Sequence, residues 1–350
     1  MKILIVGSFI HEMYERALYD AFKSLGEEVY AFSWEEYNLR INQQVSMGKM
    51  INRIQDRFLL GPKIYNSNKA LTSYVTKLSP DLVFIYRGTH IRPETILKIK
   101  KTGAAVFSYN NDDPFSGVPS KRYWRNYIES AKLSDHIYCY RGKNIEDFKK
   151  IGVKNCSILR SYYIDSRNYY IMSVKKDIDI IFIGHYENDG RDRAIIKLIE
   201  NGIDVRIYGD NLWKNSSYYD KFSGRIYHNY LNGKEYNELI NRSKIAMVFL
   251  SKINRDTYTR RCFEIPAAQT LMISEYTDEL NNMFIQGVEA EYFTSDDELV
   301  DKVKSYLGNE QLRQMVTLGG YERLHSGGHE VKDRAKAIIQ KYYEIRGENR

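Results

Sequence analysis

Short apolar runs alternate with longer stretches of helical periodicity in the first half of the chain. The apolar, β-rich runs lie at residues 2–6, 28–32, 82–86, 104–109 and 136–140. Helix-like spacing fills the intervals, for example at residues 14–25 and 93–101, where Pro93 occupies a first helical turn. Strands that alternate with helices predict an α/β domain with a largely parallel sheet.

The same alternation restarts in the second half, and the chain then ends in helices. Apolar runs lie at residues 178–183, 205–208, 244–250 and 271–274, and helical spacing follows at 296–307, 310–324 and 332–343. Residues 160–177 show no strong periodicity and are the best linker. We therefore predict two doubly wound domains, residues 1–165 and 166–350, that face each other across a cleft, with room for the last helix to pack back on the first domain.

Composition excludes several protein classes and leaves a reduced compartment as the expected location. A chain of 350 residues with 43% hydrophobic residues and only six prolines is neither disordered nor collagen-like. Its three cysteines, Cys139, Cys156 and Cys262, form no Cys-x-x-Cys pair for zinc or redox chemistry. The apolar run before Gly7 is too short for a signal peptide or a membrane span, so we expect a cytoplasmic protein.

The charge is mildly positive, with 52 Lys and Arg against 45 Asp and Glu, a net +7. A solvated exterior explains most of this excess, although it also fits a phosphorylated substrate or peripheral association with an anionic membrane. No basic stripe interleaves with aromatic residues along one element, so nucleic-acid binding is not expected.

Glycines at two strand ends mark a candidate phosphate-binding edge. The run at 178–183 leads into Gly184, His185 and then Arg191 at a helix start, while Gly209 ends the run at 205–208. Backbone N–H groups and the helix dipole at such a turn attract phosphate, and an arginine adds charge. The alternative, which fits equally well, is that these glycines and the arginine simply belong to a solvent-exposed loop between a strand and a helix.

Arg260, Arg261 and Glu264 open a short apolar helix and form the most specific pattern in the chain. Arginines there would meet a diphosphate, and the carboxylate would bind paired hydroxyls such as those of a ribose. A structural ion pair between one of the arginines and Glu264 is the alternative.

Candidate catalytic residues of the first domain follow its predicted strands. Asp112 and Asp113 end one strand, where two carboxylates supply a general base, bind a cation or simply form a turn. His11 follows the first strand and is a second candidate base. Arg87 and His90, at another strand end, are candidates for acceptor binding. We predict no metal site, since Gly327 and Gly328 separate His325 from His329.

Several segments together resemble a known family. The residues are Arg261-Cys262-Phe263-Glu264-Ile265-Pro266-Ala267, the stretch 286–293, Gly319-Gly320-Tyr321-Glu322-Arg323, and His329. They resemble the C-terminal half of the spore-maturation (CgeB-like) glycosyltransferases, which are similar to group 1, family 4-like enzymes with the two-Rossmann GT-B fold. The resemblance is strongest over residues 178–343.

This resemblance implies a role for each matching position. Glu264 matches the second glutamate of a Glu-x7-Glu motif, which contacts the donor ribose; residues 184–191 match the diphosphate loop, and Tyr230 with Leu231 the base site. Thr257 stands where the first glutamate is expected, and Gln269 where a glycine is usual.

The implied function is transfer of a sugar from a nucleotide-diphosphate donor to a glycan or other surface-polysaccharide acceptor, without a cofactor or a metal. It would take place in the cytoplasm or at the inner membrane face. Two alternatives remain open: a GT-B sugar-nucleotide epimerase, and an inactive relative that only binds the nucleotide sugar.

Overall fold

A computed structural model describes residues 1–37, 45–227 and 231–347. The chain divides into two compact units: Met1–Arg160 together with the chain from Val331 onwards, and Ser161–Glu330. Each unit contains a parallel sheet of six strands flanked by helices. The predicted α/β class, with two doubly wound domains and a helical C-terminal region, is confirmed.

The two sheets have related strand orders, β2-β1-β3-β4-β5-β6 in the first unit and β12-β11-β10-β7-β8-β9 in the second. The strands are β1 (Lys2–Gly7), β2 (Glu28–Ser33), β3 (Leu82–Tyr86), β4 (Ala105–Asn110), β5 (His136–Cys139), β6 (Cys156–Ile158), β7 (Ile178–Ile183), β8 (Val205–Tyr208), β9 (Ile226–Tyr227), β10 (Ser243–Val248), β11 (Leu271–Glu275) and β12 (Glu291–Phe293). Every residue of β3 and β4 is buried, as expected of central parallel strands covered on both faces.

Helices cover the two faces of each sheet. They are α1 (Ala17–Ser24), α2 (Val45–Phe58), α3 (Pro62–Leu78), α4 (Pro93–Lys100), α5 (Lys121–Leu133), α6 (Gly142–Lys150), α7 (Arg191–Glu200), α8 (Tyr219–Phe222), α9 (Gly233–Arg242), α10 (Arg261–Ala267), α11 (Asp278–Met283), α12 (Asp296–Gly308), α13 (Glu310–Ser326) and α14 (Val331–Arg346). In the first unit α14 packs against α1, and in the second α7 packs against α12 while α10 packs against α13. No helix in these described ranges is long and apolar enough to cross a bilayer.

The aperiodic segment after Arg160 belongs to the second unit. The backbone N–H of Tyr169 donates to Asn237 Oδ1 at 3.1 Å, and that of Ile171 donates to Asn241 Oδ1 at 2.7 Å. The side-chain amides of Asn237 and Asn241 in turn donate to the carbonyl oxygen of Tyr169. Two buried asparagines therefore hold this segment against α9.

Candidate functional site

Gly184 and Gly209 lie side by side at the carboxyl ends of β7 and β8. The indole Nε1 of Trp213 donates to the Gly184 carbonyl at 2.9 Å, and Trp213 is fully buried. A Cβ placed on Gly209 would lie 2.3 Å from that Nε1 and 2.6 Å from the Gly184 oxygen. Trp213 thus fixes the entry to the loop that the sequence marks as phosphate-binding, and Gly209 leaves space for its ring.

Arg191 braces this loop from within. Its Nε and Nη2 donate to the two carboxylate oxygens of Asp189 at 2.8 and 2.6 Å, and its Nη1 donates to the His185 carbonyl at 2.7 Å. Arg191 is only 4% exposed. Each of the three guanidinium nitrogens therefore donates one hydrogen bond inside the loop, and these bonds hold the loop in one conformation. Contact of this guanidinium with a diphosphate stays a prediction.

His185 and Glu187 connect the same loop to the end of β10. His185 Nε2 lies 2.9 Å from Glu187 Oε1, and Ser251 donates to Glu187 Oε2 at 2.9 Å. Burial alone would raise the pKa of Glu187, but the His185 and Ser251 hydrogen bonds and the charge of Arg191 outweigh it and lower that pKa. Glu187 therefore stays ionised, and the exposed His185 ring is held at the surface of the loop.

Glu264 is buried in the first turn of α10 beside an arginine that sequence reasoning missed. Its Oε1 accepts a hydrogen bond from Arg167 Nη1 at 3.2 Å, and Arg167 also lies over the ring of Tyr236 at 5.2 Å. The pKa of the Tyr236 phenol is raised well above its ordinary value, first by burial and then by the Glu264 charge. Glu264 thus forms its ion pair with Arg167, from the predicted linker, and within the described residues it forms none with an arginine of α10.

The two arginines that open α10 differ in their surroundings. Arg260 lies over the ring of Tyr162 at 4.6 Å. Arg261 lowers the pKa of Tyr236, so its charge reaches the Glu264 cluster. In the part of the chain that the structure describes, the buried Nε of Arg261 has no hydrogen-bond partner. A buried guanidinium N–H calls for an acceptor, and an anionic ligand would supply one.

The predicted base-binding pair can be placed only in part. Leu231 is half-buried and precedes α9, whereas Tyr230 lies outside the described residues. Gln269, where the resemblance expects glycine, has a φ of 47° in the left-handed region directly after α10. The backbone therefore keeps the conformation that favours glycine, although the side chain differs.

In the first unit, Arg87 and Asp112 form an ion pair at the carboxyl ends of β3 and β4. Burial alone would lower the pKa of Arg87, but the Asp112 carboxylate and the Tyr14 and Tyr123 phenols outweigh it and raise that pKa. Arg87 has a φ of 55°, a conformation that non-glycine residues rarely adopt and that is often found at functional sites. Asp112 is half-buried and remains partly open to solvent.

Asp113 takes the structural alternative left open by the sequence. It is fully buried, and its Oδ1 accepts hydrogen bonds from the Phe115 backbone at 2.9 Å and from Asn144 at 2.8 Å. A carboxylate in this position organises the loop after β4 and offers no exposed oxygen to a substrate. These contacts favour the structural alternative, and a catalytic role for Asp113 stays a prediction.

His11 and His90 occupy different environments. His11 is exposed after β1, with its ring edge-on to Tyr14 at 5.8 Å. His90 is buried, stacks on Trp34 at 5.1 Å, and its Nε2 lies 2.9 Å from Asp56 Oδ1. The structure therefore links Arg87 to Asp112 but links His90 to α2, so the two predicted acceptor-side residues have separate partners.

Neither a metal site nor a reactive thiol is found in the described residues. Among residues 1–37, 45–227 and 231–347, no group of three His, Cys, Asp or Glu side chains is arranged to hold a metal ion. Burial raises the pKa of Cys262, next to the α10 arginines, to about 11, so this thiol stays protonated near neutral pH.

A polar cavity of about 570 Å³ lies beside α7 and α12 in the second unit. Its charges neutralise one another in the pairs Arg193–Asp296, Lys197–Asp297 and Lys252–Glu275. Glu264 and the α10 arginines are not among its lining residues. The cavity is also lined by Asp189, Gly190 and Arg191, so it borders the loop that the sequence marks as phosphate-binding.

Comparison with known proteins agrees with this architecture. A glycosyl transferase-like family model matches residues 191–340, which is less than half of the chain. A search of curated protein sequences gave no match.

Solved structures show the same fold at low sequence identity. Sucrose-phosphate synthase from Thermosynechococcus elongatus is 9% identical over 99% of each chain, with a TM-score of 0.71. Anabaena HepE in complex with UDP and glucose is 11% identical over 98% of this chain and 100% of the other, with a TM-score of 0.67. A UDP-N-acetylglucosamine 2-epimerase is 13% identical over 99% of this chain and 96% of the other, with a TM-score of 0.56. The chain therefore has the GT-B fold, and most of its second unit matches a glycosyl transferase-like family model.

Proposed function

We propose that this protein is a glycosyltransferase that moves a sugar from a nucleotide-diphosphate donor to a glycan or other surface-polysaccharide acceptor. The observation that carries the proposal is the buried cluster at the start of α10, where Glu264 meets Arg167 and Tyr236 beside Arg261. A fixed carboxylate next to a guanidinium with an unpartnered N–H matches the needs of a ribose and a diphosphate.

In this proposal the second unit holds the donor. Glu264 would accept hydrogen bonds from the ribose hydroxyls, while Arg260 and Arg261 would stabilise the charge that develops on the departing diphosphate. Arg191 would act indirectly, because it fixes the loop that joins β7 to the start of α7, and a helix N-terminus favours a phosphate. His185 would lie at the edge of the same loop.

The first unit would supply the acceptor-side chemistry. Asp112 remains partly open and is oriented by Arg87, and His11 is exposed after β1. Either group would remove the proton from an acceptor hydroxyl in an inverting reaction. An Asp112→Asn variant that keeps donor affinity but loses transfer would assign the base to Asp112; the same result for His11→Gln would assign it to His11.

The comparisons support this proposal at the level of fold. HepE was solved with UDP and glucose, and other structures of it contain UDP-glucose or UDP. Since one fold serves many activities, these ligands indicate which donors to test first and do not fix the substrate. The buried or half-buried thiols fit a reducing cytoplasm, where we place the protein.

Calorimetric titration with UDP and UDP-glucose tests the donor site. Glu264→Gln is expected to weaken binding by about 10- to 100-fold, the range for losing a hydrogen bond to a charged group. Glu322→Gln, an exposed change in α13, is the matched control and should bind normally. Equal affinity of the folded Glu264→Gln and native proteins would refute the assignment. GDP, CDP and TDP belong in the same experiment, since the base is not fixed.

A sugar-nucleotide epimerase is the second candidate. Thr257 replaces the first glutamate of the glycosyltransferase motif. Its Oγ1 donates to Glu279 Oε2 at 2.7 Å, so its hydroxyl proton is bound within the protein. Incubation of the protein with a UDP-sugar and no acceptor separates the two activities: a new epimer seen by NMR supports the epimerase, while transfer only after addition of an acceptor supports the glycosyltransferase. Binding without either reaction would indicate the inactive relative.

A further inference from the structure

Helix α2 of the first unit has an inverted arrangement of polar and apolar side chains. Its fixed side is polar: Asp56 Oδ1 accepts from Lys63 Nζ at 2.7 Å and contacts His90 Nε2 at 2.9 Å. Gln55 is 5% exposed, and its Oε1 accepts the backbone N–H of Lys63 at 2.8 Å. Buried polar contacts therefore hold α2 against α3 and the loop after β3.

The opposite side of α2 carries an apolar stripe in solvent. Met50, Ile54 and Phe58 are spaced by four residues, so they lie on one face, and they are 57%, 48% and 41% exposed. Leu60, just beyond the helix, is 62% exposed. A helix normally turns its apolar face inward, so an exposed stripe on a helix anchored by polar contacts marks a binding surface.

A basic stripe runs beside the apolar one. Lys49, Arg53 and Arg57 are all exposed and are again spaced by four residues. Within the described part of the chain, none of the three forms an ion pair. Asp56 is the only acidic residue of α2, and Lys63 and His90 engage it on the other side. The outward face is therefore both apolar and cationic.

The neighbouring helix extends this charge. Arg122 at the start of α5 lies over the ring of Phe58 at 4.9 Å, and α2 packs against α5. Lys121 and Arg125 of α5 are also exposed. Cations thus border the apolar stripe on α2 and on the adjoining element, which leaves an apolar strip edged by positive charge.

We propose that the α2 face, defined as Met50, Ile54 and Phe58 with Lys49, Arg53 and Arg57, docks on an anionic phospholipid bilayer. An interfacial helix buries an apolar face at the boundary of headgroups and acyl chains while its lysines and arginines meet the lipid phosphates. The apolar stripe and the adjoining basic stripe meet both requirements. The inference does not depend on the activity of the donor site, which lies in the other unit.

Vesicle co-sedimentation of the full chain tests this surface. The native protein is expected to sediment with phosphatidylcholine vesicles that contain about one third phosphatidylglycerol, to bind pure phosphatidylcholine far more weakly, and to dissociate as salt rises. Combined Lys49→Gln, Arg53→Gln and Arg57→Gln changes should lower the partition coefficient on the order of 100-fold, because each basic residue near the surface contributes roughly fivefold.

A second variant separates the apolar contribution from the charge. Ile54→Gln with Phe58→Gln keeps good helix formers and every cation, and should lower vesicle binding at least about tenfold. Met172→Gln with Met315→Gln changes two methionines that are 84% and 61% exposed in the other unit, and should bind like the native protein. Donor affinity and the far-UV circular dichroism of every variant should be unchanged.

Several outcomes would overturn the proposal. The proposal is wrong if the native protein stays in the supernatant in the presence of anionic vesicles. It is also wrong if the α2 variants bind these vesicles to the same extent as the native chain. Light scattering that shows a dimer in solution, split by Ile54→Gln with Phe58→Gln in the absence of lipid binding, would instead assign the stripe to a contact between two copies.

Discussion

Gly209→Ala gives the most direct test of how the loop after β7 is built. The added Cβ would lie 2.3 Å from Trp213 Nε1, 2.5 Å from its Cδ1 and 2.6 Å from the carbonyl oxygen of Gly184. Real Cβ atoms do not approach so closely. Because the oxygen belongs to the backbone and the indole is fully buried, neither neighbour can move aside without disturbing the core.

The cost follows from two effects. Overpacking of a well-packed core destabilises a protein by about 1–3 kcal/mol. Displacement of the indole would also weaken the 2.9 Å hydrogen bond to Gly184, worth about 1 kcal/mol. The sum is roughly 3 kcal/mol, which lowers the melting temperature of a unit of this size by roughly 6–12 °C.

Thermal unfolding followed by tryptophan fluorescence measures this effect, since Trp213 is the single tryptophan in the second unit. Gly224→Ala is the matched control: nothing lies within 4 Å of its added Cβ, and its φ does not require glycine. This control should melt at or slightly above the native temperature. A Gly209→Ala protein with native melting temperature and fluorescence would show that the close approach is wrong.

Three further changes test other features of the second and first units. Arg191→Lys cannot reproduce the paired hydrogen bonds to Asp189, so UDP affinity and melting temperature should fall together in calorimetry and thermal scans. Gln269→Gly should raise the free energy of unfolding in urea by about 0.5–1 kcal/mol, because it relieves the left-handed φ at this position; an unchanged or lower value would contradict this. Burial, aided by Lys341, lowers the pKa of His136 to about 4. As the pH falls from about 6.5 to about 4, the His136 imidazole therefore takes up a proton in the unfolded chain before it does so in the folded chain. The free energy of unfolding declines over that range, and His136→Gln should flatten the decline in urea titrations.

Much of the fold could be predicted because the central strands are apolar throughout. β3 and β7 begin and end where the sequence predicts, at Leu82–Tyr86 and Ile178–Ile183. Both are long runs buried by helices on two faces, so local composition suffices to identify them. β6 and β12 were missed, since three-residue strands such as Cys156–Ile158 and Glu291–Phe293 carry too little periodicity to identify.

The candidate site was less predictable, because its partners are distant in the sequence. The sequence singles out Glu264, yet its ion-pair partner, Arg167, lies 97 positions earlier in a segment without periodicity. No local pattern marks such a pair. Tyr236 was missed for the same reason, since its burial beside Glu264 depends on how α9 and α10 pack.

A polar side chain at the end of a parallel strand can form its hydrogen bonds either within the protein, where it braces a loop, or with a bound ligand. Arg191 and Asp113 brace a loop: each is nearly fully buried, Arg191 donates within its own loop, and Asp113 accepts from the Phe115 backbone and from Asn144 of α6. Arg261 has a buried N–H without a partner in the described chain, as expected of a ligand-binding group. Loss of a brace should lower stability and affinity together, whereas loss of a ligand contact should lower affinity more than stability. Arg261→Gln is therefore expected to reduce UDP binding at least about tenfold, the effect of one lost charged hydrogen bond, with little change in melting temperature. A large drop in melting temperature together with the loss of affinity would place Arg261 among the braces.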